Sequence, residues 1–397
     1  MSETADVVVI GAGIVGASVA YYLSKEGLAV CIMDKESICA GCSTHGTGSI
    51  GTGSQDFKPG DHFLLGLEAQ HVMMSLIREV EEDTGVDTQF EQKPHISLAL
   101  DEEEEEVLKE SIVWLTPIRE CPPQMLSREE VLKIEPRLTP NVRCGVYSEG
   151  GGVAGRVDSS RFTGALVQSV EKRGGFVLLR EATGLERDGD RVAAVLYPNG
   201  KVVCKEVVIA MGAWSGLASK WLGGYTVPVT SHRGEKMYLR FDGPPLEVGI
   251  GSPKRGHMMT MKDGIWSIGS LGGRYFDHPL RAGVQVFDPK NPPQPDLSFE
   301  PSEAGKLELL QRAMDVLPEL ERAEVYQPMA GPRPLAADCL PLIGPVPGWR
   351  GVYLATGHNT NGIHLSAITG RIISDLITKG RNDLPLSIDA FLPSRFA

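Results

Sequence analysis

The sequence predicts an α/β fold: a Rossmann-type dinucleotide-binding domain interleaved with an α+β domain built on a mainly antiparallel sheet. Three observations predict it. A glycine-rich strand–turn–helix opens the chain, alternating strands fill its middle, and glycine and proline punctuation returns before a last helix. At 397 residues two domains are the default. Residues 1–40, 151–225 and 326–397 are assigned to the dinucleotide domain, and 41–150 and 226–325 to the other.

The opening unit runs from Asp6 to Asp34. An apolar strand, Val7 to Ile10, enters Gly11-Ala12-Gly13-Ile14-Val15-Gly16 and then a helix with Val15, Val19 and Leu23 on one stripe. Gly11 allows the tight turn, Gly13 lets backbone approach a pyrophosphate, and Gly16 lets helix and strand pack closely. The positive end of the helix faces the phosphates. Gly27 stands where a C′ residue ends the helix, and a second strand spans Ala29 to Met33. Asp34 follows, about 20 residues past the glycines, where a carboxylate accepts from a ribose diol.

Composition narrows the class. The chain is 42% hydrophobic and 23% charged, as soluble globular proteins are. It contains no apolar run of about 18 residues, and its acidic start leaves no room for a signal peptide. A net charge of −12 argues against nucleic acid or an anionic membrane surface as partner. Seven scattered cysteines read as reduced and intracellular, which predicts a cytoplasmic protein, with peripheral attachment to a membrane left open. Cys39 and Cys42 form a CxxC without a second pair, so small residues near a ligand explain them better than a metal, and no metal site is expected.

In order along the chain, Gly41 to Gly53 is rich in small residues, suited to close approach of a ligand. His62 to Thr84 reads as an amphipathic helix. The acidic run Asp101 to Glu106 reads as a solvated first helical turn, and Leu126 to Ile134 as a helix with a Ser127–Glu130 capping box. Gly150 to Gly155 marks a crossing between domains. A helix from Asp158 to Glu171 and a strand from Phe176 follow; Thr183–Arg187, Val192–Tyr197 and Val202–Ile209 form a hairpin and its return. Pro228 to Asp263 alternates as an antiparallel sheet does, and Gly264 to Gly269 continues it. Phe287 to Glu303, with five prolines, is a loop; Glu303 to Val316 is a helix. A strand at Val352 to Ala355 and a helix from Ile363 to Thr378 close the chain.

This order of motifs resembles the glycine oxidase, D-amino-acid oxidase and sarcosine oxidase family of FAD-dependent enzymes, and is most similar to glycine oxidases and bacterial D-amino-acid dehydrogenases. Four passages carry the resemblance: the glycine motif with Asp34; Val207 to Ser215; Gly331-x-Arg333-Pro334 with Asp338, Pro341, Ile343 and Gly344; and Gly357-His358-Asn359-Thr360-Asn361-Gly362-Ile363. It implies FAD, held without a covalent bond. The implied cofactor site takes in Gly11, Gly13, Ile14, Val15 and Gly16, then Asp34 and Lys35, then Ser43, Thr44, His45, Gly46 and Thr47. It continues through Ala182, Gly212 and Trp214 to Gly331 and Arg333, and ends with Gly357, Asn359, Thr360, Asn361, Gly362 and Ile363.

Arg333 and His45 are the implied catalytic residues, and Arg333, Tyr238, His257 and Asn359 the implied substrate contacts. A guanidinium offers a fork of donors that matches a carboxylate. A helix beginning at Gly362 would stabilise negative charge on the flavin pyrimidine ring. His45 stands where some relatives bond the flavin covalently, but the residues around it depart from their pattern. Ser267 stands where monomeric sarcosine oxidases place a lysine before a similar Ile-Gly. The implied reaction is oxidation of a small amino or imino acid at Cα, with oxygen, a quinone or a partner protein as electron acceptor. The resemblance leaves open a homo-oligomer or a heteromeric complex. Two further readings are a flavin-bearing subunit of an opine- or hydroxyproline-type dehydrogenase and an NAD(P)-dependent dehydrogenase.

Overall fold

The computed structural model describes residues 3–51, 60–116, 122–149, 155–271 and 282–397. Most of the Gly150–Gly155 crossing, Cys121 and the end of the Gly41–Gly53 stretch lie outside the described residues.

A six-stranded sheet forms in the order 176–179, 30–34, 7–10, 206–209, 352–356 and 342–345. The first five strands are parallel and the last is antiparallel. Its strands read as unbroken apolar runs because both faces are covered. Val7 and Val9 face a core made by helices Ile14–Lys25, Ser159–Lys172 and Gly362–Lys379, while Val8 and Ile10 face the opposite core with Val195 and Val202. Helix Asp61–Thr84, assigned by sequence to the other domain, packs Leu65, Met73 and Leu76 into the first of these cores.

The second large sheet has eight strands, ordered 324–336, 229–240, 266–271, 256–260, 249–252, 95–99, 144–148 and 124–127. All neighbours are antiparallel except 249–252 against 95–99. Residues 326–336, assigned by sequence to the dinucleotide segments, pair along Val229–Arg240 in this sheet. Successive side chains point to opposite faces. Ile96, Ile250, Met258, Ile268 and Met237 therefore share an apolar core under helix Glu303–Val316, leaving the other face to the residues between them.

Three local expectations change. Val202–Ile209 is two strands, because Lys205 and Glu206 both donate to the Asp6 carbonyl and carry the chain from Gly200–Val203 in one sheet to Glu206–Ile209 in another. The capping box of Ser127 and Glu130 is present, but the helix starts at Arg128 and the residues before it, Gln124–Ser127, pair as a strand. The acidic turn is only partly solvated: Asp101 caps helix Glu102–Leu115, while Glu104 is fully buried. Glu104 accepts from Leu100 N and Lys254 N and pairs with Arg255 at 2.5 Å, so its charge is met on every side.

Candidate active site

Strand Val7–Ile10 lies between Val30–Asp34 and Glu206–Ile209, so the order of the sheet reverses at Gly11, where ligands bind in such sheets. Gly11 has φ +114°, and a β-carbon there would stand 2.3 Å from the Ala210 carbonyl oxygen. One on Gly16 would stand 2.0 Å from the Gly11 oxygen, so Gly16 packs the helix against the turn and does not border the cavity. Gly13 keeps an ordinary φ and opens toward Ser43, whose hydroxyl accepts from Ile14 N–H at 3.0 Å. An oxygen acceptor thus already sits at the start of the helix. Asp34 accepts from Ala12 N at 2.8 Å and Glu36 N at 3.0 Å, which fixes its carboxylate at the cavity edge.

One cavity of about 740 Å³ runs from this turn to the polar face of the eight-stranded sheet. Ile14, Val15, Lys35, Ser43, His45, Gly46 and Thr47 border it on one side. Ala182, Gly212, Trp214, Gly331, Arg333 and His257 border it elsewhere. The far wall is Asn359, Thr360, Asn361, Gly362 and Ile363, at the start of the C-terminal helix. Residues from the two ends of the sequence therefore meet around one space.

Besides Gly16, three expected contacts stand back from it. Thr44 turns away to donate to the Cys39 carbonyl. Gly357, at φ +80°, packs beneath Ala336 and bends the chain after strand Val352–Thr356. Tyr238 is absent from the wall and touches a residue of it, Lys236.

Asn359 is the clearest sign of a missing partner. It takes φ +46°, uncommon for a side-chain-bearing residue, and its Oδ1 is buried without a hydrogen-bond partner among the described residues. Beside it His358 is anchored by Thr369 at 3.0 Å, and burial holds its pKa down at about 3, so it stays neutral. The cavity size, the bare turn at Gly11 and Gly13, the open helix start and this buried acceptor all suit FAD.

The polar face of the large sheet supplies the opposite wall. Arg333 pairs in register with His232, and Gly234 lies opposite Gly331. His45 Nδ1 lies 3.3 Å from the Gly41 carbonyl, its ring is 4.7 Å from that of Phe299, and burial lowers its pKa. Phe299 also stacks on Trp214 at 6.2 Å, and Lys35 sits over that indole at 4.9 Å. The sequence reading missed Phe299, a lone aromatic in a proline-rich loop. It also missed Lys236, on the strand beside Ser267, directly opposite Gly269. The alternation of its strand was the available signal, because it places Lys236 on the face away from Met237. Among the described residues no group of His, Cys, Asp or Glu is arranged to hold a metal, and no helix is long and apolar enough to cross a membrane.

Comparison with known proteins agrees with this geometry. The family described as "DAO: FAD dependent oxidoreductase" matches residues 6–376. A glycine oxidase of Geobacillus kaustophilus is 30% identical over 96% of this chain and 94% of its own. The hydrogen cyanide synthase subunit HcnC of Pseudomonas aeruginosa is 28% identical over 100% of this chain and 97% of its own. The crystal structure of a glycine oxidase from Geobacillus kaustophilus superposes with a TM-score of 0.87 at 26% identity, covering 99% of both chains.

Proposed function

Because the chain belongs to the DAO family of FAD-dependent oxidoreductases, we propose that its cavity oxidises a small amino or imino acid at Cα. The observation that carries this reading is Arg333 in the wall of the same cavity as the glycine turn and the C-terminal helix start. Gly11, Gly13 and the Ile14 helix start would hold the pyrophosphate, and Asp34 the ribose. Asn359 and the first turn of Gly362–Lys379 would meet the flavin ring, where backbone N–H groups favour negative charge.

FAD, when bound, supplies the acceptor for the hydride leaving Cα. Arg333 binds the substrate carboxylate and fixes its orientation, so positioning provides much of the catalysis. His45 and Trp214 border one side of the site, with Phe299 packed against both rings. The imine then leaves and hydrolyses to a 2-oxo acid and ammonia or an amine. His45 is read as a non-covalent neighbour of the flavin, and oxygen, a quinone or a partner protein as the electron acceptor. The nucleotide-holding segments are read as 1–40, 151–225 and 326–397, of which 326–336 reaches into the large sheet with Arg333, and 41–150 and 226–325 as supplying most of the substrate wall.

The test is a spectrum followed by a substrate panel. Purified protein should carry flavin absorption bands, and glycine, sarcosine, a D-amino acid or proline should bleach them without oxygen. A colourless sample that stays so after FAD is added would sink the reading. Bound FAD without bleaching by any panel member would favour the second reading, a flavin-bearing subunit, which the likeness to HcnC supports.

A further inference from the structure

Lys236 has no part in the reaction as described above, yet it is 3% exposed and borders the cavity. Its Nζ donates to the Gly46 carbonyl at 2.6 Å and to the Tyr238 hydroxyl at 2.8 Å. Two fixed acceptors leave one further position on that nitrogen, which in the neutral amine is a lone pair. Burial, reinforced by the Arg156 guanidinium, brings its pKa down to about 7, so both protonation states are accessible near neutrality.

The surroundings are specific. Arg156 opposes the charge on Lys236 and Asp158 favours it, from the segment that crosses beside the sheet. Cys42 and His45 face it from the short helix Cys42–His45, and Tyr238 from its own strand. His257 and Lys236 both lie against Gly269. Arg333 acts with Lys236 on the Cys42 thiol, so the two cations share one neighbourhood.

Register places both on one face of the sheet. Lys236 is two residues beyond Gly234 on the same face, roughly 7 Å along the strand, and the Arg333 guanidinium lies over Gly234. In an α-amino acid a single carbon separates carboxylate and amine, so a substrate held by Arg333 can turn its nitrogen toward Lys236. At neutral pH that nitrogen is an ammonium with no lone pair to assist hydride loss. We propose that Lys236 is the base that accepts this ammonium proton. One N–H bond of the substrate breaks, one forms on Nζ, and the positive charge moves from substrate to lysine without any change of oxidation state. This step rests on the amino-acid oxidation proposed above.

The experiment follows bleaching of the FAD-loaded protein without oxygen, by rapid mixing from pH 5.5 to 10, with whichever panel amino acid bleaches the wild type. Wild type should rise to a plateau just above the lysine pKa. Lys236→Met and Lys236→Gln should lose about 100-fold at neutral pH, as removal of a general base does. Their rates should keep climbing about tenfold per pH unit toward about pH 10, where free amine takes over. Added methylamine should restore the rate in proportion to its free base. Affinity for acetate, read from the shift of the flavin band, should change little because Arg333 is untouched.

Variants that keep the wild-type rate and plateau would overturn the assignment. If neither variant retains FAD, the wild-type profile decides: a climb without a break through pH 9 removes Lys236 from the reaction, and a plateau supports it. A wild type that no amino acid bleaches refutes the oxidation reading itself, an outcome separate from either of these.

Discussion

The guanidinium of Arg333 lies against the bare backbone of Gly234. A β-carbon at Gly234 would stand 2.3 Å from Arg333 Cζ and 2.4 Å from Nε, so only glycine leaves this arginine its place. Arg333→Ala should keep FAD and weaken acetate binding by about 10- to 100-fold, the loss expected for hydrogen bonds to a charged group at about 1.5–3 kcal/mol. Gly234→Ala should shift affinity in the same direction without removing a charge. Titration of the flavin band with acetate measures both. Wild-type affinity in Arg333→Ala would take the arginine out of the substrate site.

The glycine turn predicts two separable phenotypes. Gly13 meets only the Ser43 hydroxyl, at 3.1 Å, so Gly13→Val should fold yet fail to retain FAD. Gly16→Val drives a side chain into the Gly11 carbonyl and should lose both cofactor and thermal stability. Flavin absorbance after gel filtration, set beside a melting curve of each apoprotein, separates the two.

Stability should fall in mild acid. His358 and His364 are each 3% exposed, and burial holds their pKa values at about 3 and about 4, below the ordinary 6.5. Between pH 6.5 and those values the unfolded chain binds more protons than the folded one. Their contribution is therefore complete above pH 6.5 and drains away as pH drops through that window. A histidine lowered from 6.5 to about 4 accounts for about 3 kcal/mol. Urea midpoints should decline steadily from about pH 6.5 toward pH 5, with a shallower decline in His364→Gln. Equal slopes in the two proteins would exclude His364 as a source.

Acid precipitation tests the flavin linkage. His45 Nδ1 is engaged with the Gly41 carbonyl and its ring with Phe299. The precipitated chain should be white and the supernatant yellow. Yellow protein would mean a covalent bond.

What could be read from the sequence followed the range of each interaction. The Gly11–Gly16 turn, the Ser127 capping box and helix Glu303–Val316 are encoded by neighbours within a few positions, and they occur where local pattern places them. Glu104 was misread because its partners, Ser252, Lys254 and Arg255, lie far along the chain. Lys236 and Phe299 escaped for the same reason. Their surroundings come from strand pairing and from a loop folding back, and neither leaves a local mark. The nearness of Arg333 to Gly234 is likewise a fact of register between two strands.

Because Gly11 and Asn359 border the same cavity, the order of synthesis matters. The ribosome adds about 5–20 residues per second, so the nucleotide turn emerges on the order of tens of seconds before the helix that completes its far wall. Throughout that interval the nascent chain presents half a binding site. A complete pocket for the cofactor therefore exists only once the helix that begins at Gly362 has emerged and docked.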